Sequence, residues 1–268
     1  MTGRLEYKYL VPDDRLPLLR RDIAPYVDLD PFVRHRDPAE YTVRSIYFDT
    51  PHLACFEDKI EGIRIRRKFR LRSYNDPASD SLVFLEIKRK YANYVSKDRA
   101  ALTHAHLEEF MRTLDVDRYV VSSSNLSQRR DDACRFVYHY CRDGLSPTAL
   151  VVYDREAFVG RFEANLRLTF DKNLRSICLP SLDMLFCDSG FTSRLRGYFV
   201  LEVKFYGGLP SWLLSAVRRY SLARMAISKY AICLERGHAP RCFRPDIRGI
   251  RNRTQAATTP STRESVCA

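Results

Sequence analysis

Although the chain holds eight cysteines, it has no CxxC pair; Cys55, Cys134, Cys141, Cys178, Cys187, Cys233, Cys242 and Cys267 are scattered. That spacing excludes a zinc ribbon and offers no disulfide framework, so reduced thiols in a cytoplasmic protein are expected. No apolar run approaches the ~20 residues of a membrane-spanning helix, and the opening MTGRLEYKYLVPDD lacks the apolar core of a secretory signal. No repeat is visible at periods of about 20 to 50 residues, which excludes solenoids and propellers. Also missing are the GxxxxGK[ST] phosphate loop, the GxSxG nucleophile elbow and the HExxH zinc helix, so three common catalytic designs drop out. Histidine is absent from the strand-like segments, and the one tryptophan, Trp212, reads as core packing.

What the chain does have is charge on a scaffold able to fold. Of 268 residues 45% are hydrophobic, enough for a packed core, and the formal net charge of +12 points to an anionic partner. In RIRRKFRLR (64–72) every even position is basic: Arg64, Arg66, Lys68, Arg70 and Arg72. Such cations stand about 6.5 to 7 Å apart on one face of a strand. RLEYKYL, LVFLEIKRK, NLRLTFD and VLEVKFY repeat the design, with charges on one side and apolar residues on the other. With TVRSIYF, ALVVYDREAF and YVSKDRAAL, about eight strands are expected. Helices are expected near 13–24, 104–115, 125–142 and within 210–234, and a flexible basic tail over 238–268.

A sheet of this pattern can present its charges to solvent. It can also close, with its apolar side packed outward on helices and its charges turned into a bore that suits a polyanion. The expectation is therefore an α+β fold with a closed antiparallel β-barrel of about eight strands around a charged tunnel, over residues 1–237. E-x-K occurs on three of these strands, as Glu6/Lys8, Glu86/Lys88 and Glu202/Lys204. Carboxylates among cations suggest a divalent metal bridging to phosphate, and Glu202 is the chosen ligand; Glu6 and Glu86 fit equally well as partners of neighbouring cations. Few aromatics are expected on the cation face, which argues against nucleic-acid bases stacking there.

Taken in order, RLEYKYLV, VRSIYFDT, KIEGIRIRRKFRLRSY, FLEIKRK with VSKDR, YDREAF, NLRLTFDKNL, VLEVKF and ISKY resemble the triphosphate tunnel metalloenzymes. Within that group they resemble the polyphosphate polymerase domain of the vacuolar transporter chaperone (VTC) family. The resemblance implies transfer of the ATP γ-phosphoryl group onto a polyphosphate chain, with Mn2+ or Mg2+ as cofactor. It makes Lys8, Arg70, Arg72, Lys88, Lys97 and Arg167 phosphate-contacting cations, with Arg155 on the same wall. It makes Glu202 the metal ligand and Lys229, in ISKY, the catalytic lysine. Arg4 stands where hydrolases and cyclases of the group carry the first Glu of ExExK, which favours the polymerase branch. Ala226 stands where some polymerase domains carry a further lysine, which implies either that the nearby Arg224 substitutes for it or that affinity is lower. The implied partners are ATP and inorganic polyphosphate, with no specific nucleic acid. The SPX domain and membrane helices of eukaryotic relatives lie outside the resemblance, so a stand-alone enzyme or a cytoplasmic subunit docking on a membrane-protein partner is expected. A tunnel triphosphatase or nucleotidyl cyclase, and a noncatalytic module for polyphosphate or RNA, remain open alternatives.

Overall fold

Each of the eight period-two runs forms a strand in the computed structural model, which describes residues 4–78, 80–92, 94–121 and 125–235. The order begins β1 (Leu5–Pro12), α1 (Leu16–Ile23), β2 (Val27–Leu29), β3 (Tyr41–Asp49) and α2 (Ala54–Ile60). Three long strands follow, β4 (Ile65–Tyr74), β5 (Leu82–Tyr91) and β6 (Tyr94–Thr103), then α3 (Leu107–Thr113), α4 (Val116–Tyr119) and α5 (Leu126–Arg142). The chain returns through β7 (Ser146–Gly160), β8 (Arg167–Cys178), the short β9 (Thr192–Ser193) and β10 (Tyr198–Phe205). It then runs into α6 (Ser211–Arg219) and α7 (Lys229–Leu234). The described residues as far as Leu234 make one compact unit, and the expected tail at 238–268 lies outside the described residues. None of the described helices is long and apolar enough to cross a membrane.

Apolar burial decides which side of the sheet turns inward. Phe69, Leu71, Leu85 and Ile87 pack outward with Phe110 of α3 and Phe136 of α5. On the other half, Val11, Leu168, Phe170, Leu201 and Val203 pack with Leu19 and Ile23 of α1 and Leu213 of α6. Burying each such side chain contributes about 1.5 to 3 kcal/mol. Repulsion between cations two apart on a strand costs roughly 2 kcal/mol at an effective dielectric near 20, and less where a carboxylate stands between them. The summed burial wins, and the charges face one another.

The expected closed barrel is corrected. Every described pairing is antiparallel, but the main path runs β1, β10, β8, β7, β3, β4, β5, β6 and stops, with β2 added to β7 and β9 to β8. β1 and β6 are the two ends of this path, and the sheet is an open half-barrel. The outer edge of β1 is taken up by the segment before α7: Tyr9 bridges to Arg224, and the Met225 amide donates to the Lys8 carbonyl at 2.9 Å. An edge satisfied there has no reason to pair with β6.

Candidate functional site

The inward positions of the half-barrel line one cavity of about 780 Å³. Arg70 and Arg72 enter it from β4, Lys88 from β5, Lys97 and Arg99 from β6, and Arg155 from β7. Arg167 of β8, Glu202 and Lys204 of β10, and Glu6 of β1 complete the wall.

So dense a set of cations is held by interleaved carboxylates. Arg70 Nε donates to Glu86 at 2.7 Å and Arg70 Nη1 to the Tyr47 hydroxyl at 3.0 Å. Glu86 is only 1% exposed and also meets Arg99 at 3.2 Å and Lys97 at 3.4 Å. Burial by itself would raise the Glu86 carboxyl, but Arg70, Arg72, Lys97 and Arg99 outweigh it and hold it far below the usual carboxylate range. Glu6 meets Lys8 at 2.8 Å and Lys88 at 3.2 Å, and against the opposing effect of burial these cations lower its carboxyl to about 2. Burial and the nearby Lys8 lower Lys88 to about 8, with Glu6 acting against them. Arg72 is different. It is buried, its Nε donates to Ser45 Oγ at 3.0 Å and its Nη2 to the Tyr153 hydroxyl at 3.4 Å, and it makes no ion pair among the described residues. A guanidinium held only by hydroxyls keeps its charge for an incoming anion.

A second cluster surrounds Glu202, itself buried. Its carboxylate contacts Lys204, with Lys8 at 3.7 Å and Lys229 at 4.0 Å. Beside it Asp171 accepts from Arg155 at 2.6 and 2.8 Å and pairs with Lys229 at 2.5 Å. Burial would push the Glu202 carboxyl up; Lys204, Lys8, Lys229 and Arg155 hold it well below its ordinary value. Burial would likewise lower Lys8, and Glu202 and Glu6 raise it instead.

Of the residues singled out in the sequence, Arg70, Arg72, Lys88, Lys97, Arg155, Arg167 and Glu202 line this single cavity. Lys8 and Lys229 are not among the residues lining it, and each contacts Glu202, which is. Arg167 is also tied to the buried Asp30. Within the E-x-K pairs, Glu6 meets Lys8 and Glu202 meets Lys204, but Glu86 turns to Arg70 while Lys88 crosses to Glu6. The same period-two count that selects Lys97 also selects Arg99, and the count that selects Arg167 selects Asp171. The expectation of few aromatics on the cation face is corrected as well. Tyr41, Tyr74 and Phe84 line the cavity, and the Arg99 guanidinium lies 3.6 Å from the Phe84 ring centre. Tyr74 is two residues beyond Arg72 and Phe84 two before Glu86, so the same alternation that selects the cations puts these two rings on their face.

The donor set can be tested for the expected divalent ion. Among the described residues no three His, Cys, Asp or Glu side chains gather into a metal cage. Glu202 does face Thr169 across the ladder of β10 and β8, and Thr169 Oγ1 is buried without a hydrogen-bond partner. One carboxylate, one spare hydroxyl and the oxygens of a phosphate chain match the habit of magnesium-like ions, which take few protein ligands beside phosphate and water. The residues fit an ion that arrives with the phosphates.

A family model described as VTC domain matches residues 3–238. No match is found among the curated proteins. Similar solved structures include HpAC1 of Hippeastrum, described with a dominant triphosphatase activity, at 13% identity and a TM-score of 0.47, covering 87% of this chain and 94% of that one. The PH1819 protein of Pyrococcus horikoshii OT3 is similar at 12% identity and a TM-score of 0.38, covering 81% of this chain and 86% of that one.

Proposed function

This chain belongs to the VTC domain family, and from that premise we propose that it is an ATP-dependent polyphosphate polymerase, transferring the γ-phosphoryl group of ATP to the end of an inorganic polyphosphate chain with release of ADP. The observation that carries the reading is the convergence of Arg70, Arg72, Lys88, Lys97, Arg155 and Arg167, from five strands, on one cavity of about 780 Å³. Phosphoryl transfer passes through a loose transition state, so catalysis consists mainly of aligning the reacting oxygens and neutralising their charge. In this reading Arg70 and Arg72 hold donor phosphates, with Arg70 fixed in direction by Glu86 and Tyr47. Lys88, Lys97, Arg155 and Arg167 spread positive charge along the chain of oxygens. Glu202 and Thr169 would hold a divalent ion, Mn2+ or Mg2+, which when bound neutralises phosphate oxygens. Lys229 adds its charge beside Glu202 and Asp171.

The acceptor is a terminal phosphate oxygen, ionised at neutral pH, so no general base is required. In agreement, no histidine lines the cavity among the described residues. Arg4, at the rim of the same cavity, leaves one acidic position fewer than a two-metal hydrolytic site needs. The test is incubation of the full chain with ATP and Mn2+, with ADP, free phosphate and long-chain polyphosphate assayed together. Polymer in step with ADP is the expected result. Free phosphate without polymer would make the chain a triphosphatase, and no consumption of ATP would make it a polyanion-binding module.

A further inference from the structure

A rank of three lysines crosses the inner face of the sheet. Lys68 on β4 stands opposite Lys88 on β5, which stands opposite Lys97 on β6. Like charges directly opposite on neighbouring strands repel, and the fold offsets only two of the three. Lys88 has Glu6 at 3.2 Å, and Lys97 has Glu86 at 3.4 Å. Lys68 makes no ion pair among the described residues; its Nζ donates to the Ser228 hydroxyl at 2.6 Å. The charges that act on it most strongly are Lys8 from β1, Lys88 from β5, Arg70 from its own strand and Lys59 from α2, all cations, while the Glu6 carboxylate is engaged by Lys8 and Lys88. Burial and these four charges hold the Lys68 ammonium well below the usual lysine range.

Ser228 sharpens the point. Its Oγ accepts from Lys68 and also from the Ala231 amide at 3.2 Å. A hydroxyl has two acceptor lone pairs and one proton, so with both lone pairs engaged the proton is left to donate. Among the described residues Lys68 and Ser228 together are therefore donors with no carboxylate in direct contact, and Lys68 lies about 6.5 to 7 Å beyond Arg70 on the line that Arg72 and Arg70 begin. We propose that Lys68, Ser228 and Lys88 form a further phosphate subsite beneath α7, which takes a phosphate group of an inorganic chain beyond those bound along Arg70 and Arg72. The occupant, an acceptor polyphosphate, rests on the polymerase reading; the subsite itself is a matter of binding.

Titration calorimetry of the full chain with inorganic tripolyphosphate and with a long-chain inorganic polyphosphate tests it. Lys68→Met should weaken long-chain binding about tenfold, the scale of one lost charge-assisted hydrogen bond, and leave tripolyphosphate affinity within about twofold. Lys68→Arg should restore the long-chain preference. The melting temperature of ligand-free Lys68→Met should be unchanged or raised, because a repelled cation has gone; Ser228→Ala supplies the same comparison if Lys68→Met does not fold. Equal weakening toward both ligands, or no weakening toward either, overturns the subsite. Polymer synthesis without the Lys68-dependent preference would remove the subsite and keep the polymerase. The preference without polymer synthesis would do the reverse.

Discussion

Glu6 Oε2 lies 3.2 Å from Lys88 Nζ, and this ion pair spans the seam that the backbone leaves open between β1 and the hairpin of β5 and β6. Strands far apart in sequence are thus joined by side chains at the place where a closed barrel would use ladder hydrogen bonds. Because Glu6 also meets Lys8 at 2.8 Å, one carboxylate offsets cations on both sides of the seam.

Glu6→Gln should therefore act in opposite directions on stability and binding. Losing the partly buried pair costs about 1.5 kcal/mol, a fall in Tm of roughly 3 to 6 °C for a domain of this size. Triphosphate affinity should rise, since a competing anion has left the wall. Thermal melting with and without tripolyphosphate reads both effects, and the ligand should recover most of the lost Tm. A variant as stable as the wild type would mean that the seam does not depend on this pair.

Glu86 and Arg72 should separate structure from binding. Glu86→Gln withdraws the shared carboxylate of Arg70, Lys97 and Arg99 in a buried setting, and is expected to destabilise the fold by about 3 kcal/mol. Arg72→Ala removes a guanidinium that makes no direct ion pair among the described residues and acts on Glu86 only through space, so it should cost less stability than Glu86→Gln but about 1.5 to 3 kcal/mol of triphosphate binding. Urea denaturation and calorimetry on the same two variants give the comparison.

Glu202→Ala should abolish ATP turnover and leave metal-free tripolyphosphate binding intact or tighter, since Lys8, Lys204 and Lys229 would then lack their shared counter-charge. Full turnover by the variant would take Glu202 out of the proposed metal position.

The pH response follows from Lys88, whose folded value of about 8 lies below the ordinary 10.5. Between those values the unfolded chain binds the extra proton, so the Lys88 contribution to stability rises with pH from about 8 toward 10.5. Anion affinity should fall over the same interval as the ammonium discharges. Melting curves and tripolyphosphate titrations across this range should move in opposite senses, and the part due to this residue should vanish in Lys88→Met. Glu6, lowered to about 2 from 4.5, has the opposite profile: its contribution is present above 4.5 and is lost as the pH drops toward 2.

Much of the site could be read from alternation. Arg70 and Arg72 are two apart on β4, Lys88 shares a face with Glu86, and Arg167 shares one with Thr169 and Asp171, so the pleat places each set together. The helix α2 and the short β2 and β9 carry no such alternation, and they appear only in the folded chain. Nor does spacing along one strand name a partner on another. The exchange by which Glu86 takes Arg70 and leaves Lys88 to Glu6 depends on the register of β4 against β5 and on how far the sheet curls.

By itself the sequence determined which residues share a face, that the apolar side must be covered by helices, and that the opposite side is cationic. These are local matters, set by the two-residue period of an extended chain and by the free energy of burying its apolar half. Tertiary structure alone decided that the sheet stays open, that the segment before α7 takes the edge of β1, and that Lys68 is left facing a serine among cations. The last two join residues more than a hundred positions apart, whose meeting depends on the curvature of the whole sheet rather than on any one strand.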